Sequence, residues 1–135
     1  MNRQEVFNKA VKGLAAQGFQ SSRNKDKTCR YRGPEGLKCA VGHLIPDEVD
    51  CTPLEGDSVY FRGVIDLLNT LGYNVEAGVT YLNASGSVCY EHTPDVRFLF
   101  DLQKAHDNAC NAESMKDCLT AFAQKYNLST EVLSP

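Results

Sequence analysis

The chain has 135 residues, of which 42% are hydrophobic and 23% are charged, as expected for a single soluble globular domain. The net charge is −3 and the pI is near 5.6, which argues against a general DNA-binding protein. No apolar run approaches the roughly 20 residues of a membrane span, and the polar amino terminus lacks the apolar core of a secretion signal, so we expect a cytoplasmic protein.

Charge is divided unevenly along the chain. Residues 1–44 hold nine basic and three acidic side chains, a net +6, whereas residues 45–135 hold five and fourteen, a net −9. Such a division indicates a surface for an anionic partner. The alternative is that the two parts interleave in the fold and neutralise each other.

A first helix is predicted over residues 2–17. Asn2 is a favourable N-cap, Glu5 stands at the third position of a capping box, and Gly18 suits the position after the helix. The polar segment 20–27 that follows is predicted to be a flexible loop.

A β-hairpin is predicted next, because two alternating runs flank a turn over residues 32–36. With that five-residue loop, Cys29 pairs with Cys39, and Arg30 pairs with Lys38. One face then packs on the core and consists of Cys29, Tyr31, Leu37, Cys39 and Val41. The other face is exposed and consists of Thr28, Arg30, Lys38 and Ala40. A one-residue slip would mix the two faces, so the pattern favours this register.

The remaining elements are three helices and a second hairpin. Helical periodicity predicts helices over 57–71, over 94–109 with Thr93 as the cap, and from Asn111 onward. The second hairpin is predicted over 79–90, with its turn at residues 83–86 and a shared face made of Val79, Tyr81, Val88 and Tyr90. A short tail covers residues 128–135. The predicted fold is an α+β single domain over residues 1–135, with about four helices packed on small antiparallel β-hairpins.

Six cysteines occur without any C-x-x-C spacing. In a reducing cytoplasm we expect most of them to be buried free thiols. A zinc-stabilised interaction module is the alternative, with ligands drawn from Cys29, Cys39, His43 and either His92 or His106. That set requires a sharp bend at Gly42, because His43 otherwise lies roughly 13 Å from Cys39 along an extended strand. No other cofactor is indicated.

A cysteine-dependent hydrolase or transferase is a second alternative, with Cys39 as nucleophile and His106 as base. His106 lies on the apolar face of its predicted helix and points inward. Asp107 is a poor candidate to orient it, since adjacent helical residues do not face each other. The competing interpretation is that His106 is a hydrogen-bonded core histidine.

Basic residues cluster between positions 23 and 38, namely Arg23, Lys25, Lys27, Arg30, Arg32 and Lys38. Three of them, Arg30, Arg32 and Lys38, are predicted to contact an anionic ligand such as a phosphate or nucleotide, since a guanidinium group binds phosphate bidentately. The intervening GPEG is not a P-loop, however. The alternative is a solvated loop with ion pairs to the acidic part of the chain.

An acidic run beside the predicted hairpin suggests a protein partner instead. A small acidic body with a protruding hairpin is able to inhibit or adapt a partner through shape and charge. The run comprises Asp47, Glu48, Asp50, Glu55 and Asp57.

The run C-x-YRG-x-x-G-x-KCAVG-x-LIPDE, from Cys29 to Glu48, resembles a signature of small uncharacterised proteins of bacteriophages and prophages. LQKAHD, residues 102–107, is similar to a second motif of that group. The resemblance implies a phage or prophage setting and supplies no catalytic residues. We therefore expect a non-enzymatic accessory protein that modulates a host or defence component by binding a protein partner or an anionic ligand.

Overall fold

The computed structural model describes residues 1–23 and 30–134, and within them four α-helices and one two-stranded antiparallel sheet. The α+β class predicted from the sequence is therefore confirmed. None of the described helices is both long and apolar enough to cross a lipid bilayer. The elements are α1 (Arg3–Ala16), α2 (Arg62–Thr70), β1 (Thr80–Leu82), β2 (Val88–Tyr90), α3 (Pro94–Asp107) and α4 (Ala112–Lys125).

Side-chain caps begin three of the helices. Asn2 and Thr93 each accept a hydrogen bond from the amide three residues on, at 3.1 and 3.3 Å respectively. Asn111 forms a reciprocal capping box with Ser114 at the start of α4. Each cap satisfies an amide that the helix itself leaves unpaired and typically contributes about 1 kcal/mol. The predicted helix starts at these three positions are therefore confirmed.

The core lies between α1, α3 and α4. Phe122 of α4 stacks on Phe7 of α1 at a centroid distance of 5.7 Å and contacts Phe98 of α3 at 5.0 Å. Phe7 and Phe98 are fully buried, and burial of one such side chain stabilises a fold by about 1.5–3 kcal/mol. A short 3-10 helix, Val41–Leu44, packs against α1 and α3 and carries His43 toward α1.

The first predicted hairpin is wrong. No strand occurs among the described residues 30–44, and a 3-10 turn, Pro34–Gly36, takes its place. The amide and carbonyl of Lys38 bond to the side chain of Gln17. Ala40, predicted to be exposed, is fully buried. Three predicted core residues, Tyr31, Cys39 and Val41, are buried as expected, whereas Leu37 is only half-buried and Cys29 lies outside the described residues.

The second hairpin is present with a different register. Tyr81 of β1 pairs with Cys89 of β2. The turn spans residues 83–87, one residue more than predicted, because Gly86 adopts a φ of 83° and adds a bulge. A one-residue change moves the side chains of the second strand to the opposite face. Cys89, and not Val88, therefore faces the same side as Tyr81.

The second helix is shorter than predicted. α2 begins at Arg62 rather than at residue 57, and its N-cap is Phe61. Phe61 pairs with Cys89 as an isolated β-bridge and has an extended backbone, so the helix begins only after it. A contact with the hairpin thus overrides the helical periodicity of residues 57–61.

The C-terminal residues fold back onto α1 instead of forming a tail. The Ser129 amide donates to Gln4 Oε1 at 2.8 Å, and Gln4 Nε2 donates to the Ser129 carbonyl at 3.2 Å. A 3-10 helix, Glu131–Leu133, follows and packs against the core. The side chain of Gln4 supplies these contacts from 125 residues away, so no local pattern predicts them.

Candidate functional site

The three basic side chains predicted to contact an anion line two different clefts. The α1 cleft has a volume of about 490 Å³, and its walls include Gly13, Gln17, Arg32, Lys38, His43 and Asp47. The α3 cleft has a volume of about 340 Å³, and its walls include Arg30, Cys39, Asp57, Phe100, Gln103 and Lys104. Arg32 and Lys38 therefore share one cleft, whereas Arg30 lines the other.

Gln17 joins the end of α1 to the segment that carries Lys38. Its Nε2 donates to the Lys38 carbonyl at 2.7 Å, and its Oε1 accepts from the Lys38 amide at 3.0 Å. The same oxygen lies 2.9 Å from His43 Nε2, which therefore carries the hydrogen and donates. One side chain thus satisfies both main-chain groups of Lys38 and orients the His43 ring. No sequence motif marks Gln17, since its partners lie 21 and 26 residues away.

His43 packs against the backbone of α1 at Gly13. A Cβ atom at position 13 would lie 2.2 Å from His43 Nδ1, so glycine is what leaves room for the ring. Burial, followed by the charge of Lys38, lowers the pKa of His43 to about 4. The imidazole is therefore neutral at pH 7 and acts as a hydrogen-bond donor to Gln17.

Arg32 and Lys38 both contact the loop that follows the 3-10 helix Val41–Leu44. The Arg32 Nη atoms donate to the Pro46 and Val49 carbonyls, and no carboxylate of the described residues forms an ion pair with this guanidinium. Lys38 pairs with Asp47, whose side chain is 85% exposed. The bond from Lys38, and then its charge, lowers the pKa of Asp47. The exposed carboxylate of Asp47 therefore lies on the solvent side of Lys38, whose own side chain is 20% exposed.

Arg30 is anchored in the α3 cleft by Glu55. Its Nε donates to one carboxylate oxygen at 2.7 Å, and the Tyr31 amide donates to the other at 2.7 Å. The Tyr31 hydroxyl donates to the Asp57 carbonyl at 2.7 Å, and burial raises the pKa of Tyr31 so that the phenol keeps its proton. Arg30 thus forms the ion pair with the acidic part of the chain that the alternative interpretation anticipated.

Cys39 lines the α3 cleft with only 1% of its surface exposed. Burial raises the pKa of its thiol, and the hydrogen bond from the Gly42 amide, at 3.4 Å, opposes this only in part. The nearby Asp107 carboxylate raises it further, while Gln103, which donates to Asp107 at 2.8 Å, lowers it. The thiol is therefore protonated at pH 7, and the thiolate that nucleophilic catalysis requires is disfavoured.

His106 is fully buried, and both of its ring nitrogens have partners. The Ser22 amide donates to Nε2 at 3.0 Å, so Nδ1 carries the hydrogen and donates to Asp107 Oδ1 at 2.9 Å. The prediction that Asp107 is a poor candidate to orient His106 is wrong, because Nδ1 lies next to the backbone, within reach of the following residue at the helix end. Neither nitrogen is left to accept a proton from Cys39. His106 is the hydrogen-bonded core histidine of the competing interpretation.

Arg23 stabilises the end of α3, a role that the sequence analysis does not predict. Its Nη2 donates to the carbonyls of Asp107 and Ala109 at 2.7 and 3.1 Å. A cation there complements the negative end of the helix dipole. The first residues of the predicted flexible loop therefore belong to the packed structure, whereas Lys25 and Lys27 lie outside the described residues.

The candidate zinc ligands do not converge in the described chain. Among residues 1–23 and 30–134, no group of three or more His, Cys, Asp and Glu side chains is placed to hold a metal ion. The imidazoles of His43 and His106 form hydrogen bonds within the fold instead. The predicted cross-strand pair of Cys29 and Cys39 requires a strand at Cys39, and Cys39 belongs to none; Cys29 itself lies outside the described residues.

Comparisons with known proteins do not identify a family. No protein-family model, curated protein sequence or solved structure matches the chain. The resemblance of residues 29–48 to phage and prophage proteins therefore stays a prediction. Any function assigned to the chain depends on the chemistry of the two clefts.

Proposed function

We propose that the protein is a non-enzymatic binding protein of the cytoplasm, with a phage or prophage accessory role, that captures a phosphate-like anion in the α1 cleft. The observation that carries this proposal is that Arg32 and Lys38 line one cleft of about 490 Å³. Arg32 brings a positive charge that no described carboxylate pairs with, and Lys38 has a carboxylate partner on the solvent side.

The charge balance of the α1 cleft favours an anion. Arg32 and Lys38 contribute two positive charges, Asp47 contributes one negative charge, and His43 is neutral at pH 7. The C-terminal end of α1 opposes an anion with roughly half a negative charge. Its last carbonyls are already bonded to the amides that follow the helix, which weakens this field. The balance therefore remains positive.

Catalysis by Cys39 and His106 has less support than binding. The thiol is buried with a raised pKa, and the imidazole already uses one nitrogen as acceptor and the other as donor. A thiolate–imidazole pair would require both groups to leave their present partners.

Isothermal titration calorimetry with inorganic pyrophosphate at low ionic strength tests the proposal. Lys38→Gln removes the charge but keeps the main-chain bonds to Gln17, and we expect it to weaken binding about tenfold, or ~1.4 kcal/mol. Arg62→Gln is the matched control, since Arg62 is 59% exposed on α2 and lines neither cleft. No pyrophosphate binding by the wild type, or equal affinity in Lys38→Gln, would contradict the proposal.

A further inference from the structure

The α3 cleft contains two charged side chains that are not paired within the described chain. The carboxylate of Asp57 and the ammonium of Lys104 form no hydrogen bond or ion pair with any described residue, including each other. Burial is the one cause that raises the pKa of Asp57, as expected for a carboxylate without a cationic neighbour. Arg30 of the same cleft, by contrast, is already bonded to Glu55.

An apolar wall adjoins these two charges. Phe100 is half-buried, and its ring is held by Tyr60 and His92 at centroid distances of 5.7 and 5.5 Å. The Lys104 ammonium lies 5.4 Å from the centroid of the same ring. Val59, which is 2% exposed, lines the cleft as well. The cleft therefore combines an aromatic surface with one charge of each sign that no ion pair among the described residues neutralises.

The pair of opposite charges restricts the ligand. A purely anionic molecule would be attracted by Lys104 and repelled by Asp57, and a purely cationic molecule would experience the reverse. A zwitterion satisfies both side chains. The volume of about 340 Å³ is near the lower end of the roughly 300–1,000 Å³ found for ligand pockets, which suits a molecule the size of a single amino acid.

We propose that the α3 cleft binds a free α-amino acid with an apolar side chain, its ammonium on Asp57, its carboxylate on Lys104 and its side chain against Phe100. This site is independent of anion capture, because the two clefts share no residue among those described as lining them.

Three probes of equal ring size test the charge requirement on the wild-type protein. They are L-phenylalanine, 3-phenylpropionate, which lacks the ammonium, and 2-phenylethylamine, which lacks the carboxylate. Calorimetry at millimolar concentrations is expected to show L-phenylalanine binding at least about tenfold more tightly than either analogue. An analogue that binds as tightly as L-phenylalanine, or no binding of L-phenylalanine, would overturn the proposal.

Two variants then test the assignment of each charge. Asp57→Asn is expected to remove the preference for L-phenylalanine over 3-phenylpropionate, and Lys104→Gln to remove its preference over 2-phenylethylamine. Lys104 is exposed, so its replacement leaves the fold intact. Lys38→Gln is the control and should bind L-phenylalanine as the wild type does, which separates this site from the α1 cleft. Wild-type affinity in both cleft variants would overturn the proposal.

Discussion

Replacing Gly13 of α1 with alanine is expected to destabilise the protein, although alanine is the better helix former. At an ordinary helix interior this substitution stabilises by about 1 kcal/mol. At position 13 the added Cβ would lie 2.2 Å from Nδ1 and 2.3 Å from Cγ of His43. Cγ is next to the root of the side chain, so rotation of the ring alone cannot relieve the contact.

The loss of stability in Gly13→Ala follows from the contacts that hold the His43 ring in place. The ring must move by about 1.5 Å to bring the 2.2 Å approach to an ordinary van der Waals distance, which breaks its 2.9 Å hydrogen bond to Gln17. Overpacking of this kind costs about 1–3 kcal/mol, and the lost hydrogen bond about 1 kcal/mol more. After subtracting the gain in helix propensity, we expect Gly13→Ala to lower the free energy of unfolding by about 1–3 kcal/mol.

Urea denaturation followed by far-UV circular dichroism measures this effect in two backgrounds. In His43→Ala the ring is absent, so Gly13→Ala should become stabilising by up to about 1 kcal/mol. Gly63→Ala in α2 is the matched control and should range from neutral to stabilising by about 1 kcal/mol, because its Cβ meets only the flexible tip of Leu54 at 3.1 Å. The reasoning is refuted if Gly13→Ala has the same sign and size in both backgrounds.

Acidification, thiol labelling and removal of the Gln17 amide each test another part of the structure. Because the pKa of His43 is lowered to about 4, the unfolded chain binds a proton there before the folded chain does. The contribution of the neutral His43 ring to the free energy of unfolding is therefore complete above about pH 6.5. It declines by about 1–2 kcal/mol toward pH 4, after allowance for the ring's contact with solvent. Urea titrations at several pH values should show this loss in the wild type, and an identical loss in His43→Gln would contradict it. Iodoacetamide should label exposed Cys110 quickly and Cys39 only after unfolding, since burial raises the pKa of the Cys39 thiol. Fast native labelling of Cys39, detected by peptide mass mapping, would restore the cysteine-enzyme alternative. Gln17→Met should lower the free energy of unfolding by about 2 kcal/mol, because the amide and carbonyl of Lys38 lose their partners. Gln20→Met, at an exposed position, is the control, and equal stability of the two variants would refute this prediction.

Local signals account for the parts of the fold that were predictable. Asn2, Thr93 and Asn111 mark helix starts because a short polar side chain satisfies an amide three residues away. Both groups belong to the same stretch of sequence, so the pattern is legible without the rest of the chain. The helical core of α1 and α3 follows in the same way from apolar residues at helical spacing.

The first hairpin failed as a prediction because its bonding partners lie elsewhere in the chain. The Tyr31 amide bonds to the carboxylate of Glu55, and the main chain of Lys38 bonds to the side chain of Gln17. An alternating pattern predicts a ladder of main-chain bonds, and it carries no information about distant side chains that satisfy the same groups. The prediction that Tyr31 and Cys39 are buried is confirmed, because burial depends on hydrophobicity and not on strand pairing.

The candidate sites likewise combine residues that the sequence predicts with residues that only the fold brings together. Arg32 and Lys38 were recognisable from charge alone, and they do share a cleft. Asp57 and Lys104 lie 47 positions apart and line the same cleft only because α3 packs beside the segment 56–59. Their significance comes from the absence of an oppositely charged partner among the described residues, a property that no sequence pattern expresses.

The bonds between Gln17 and Lys38 also have a consequence for how the sequence is able to change. The fold uses only the amide and carbonyl of position 38, and every residue type except proline supplies both. The side chain at that position is left to the α1 cleft and its ligand. Replacement of Lys38 by an acidic residue reverses the charge of the cleft and retains the bonds between Gln17 and the main chain of position 38. Ligand preference at this site is therefore free to diverge among descendants of the gene without a second, compensating substitution.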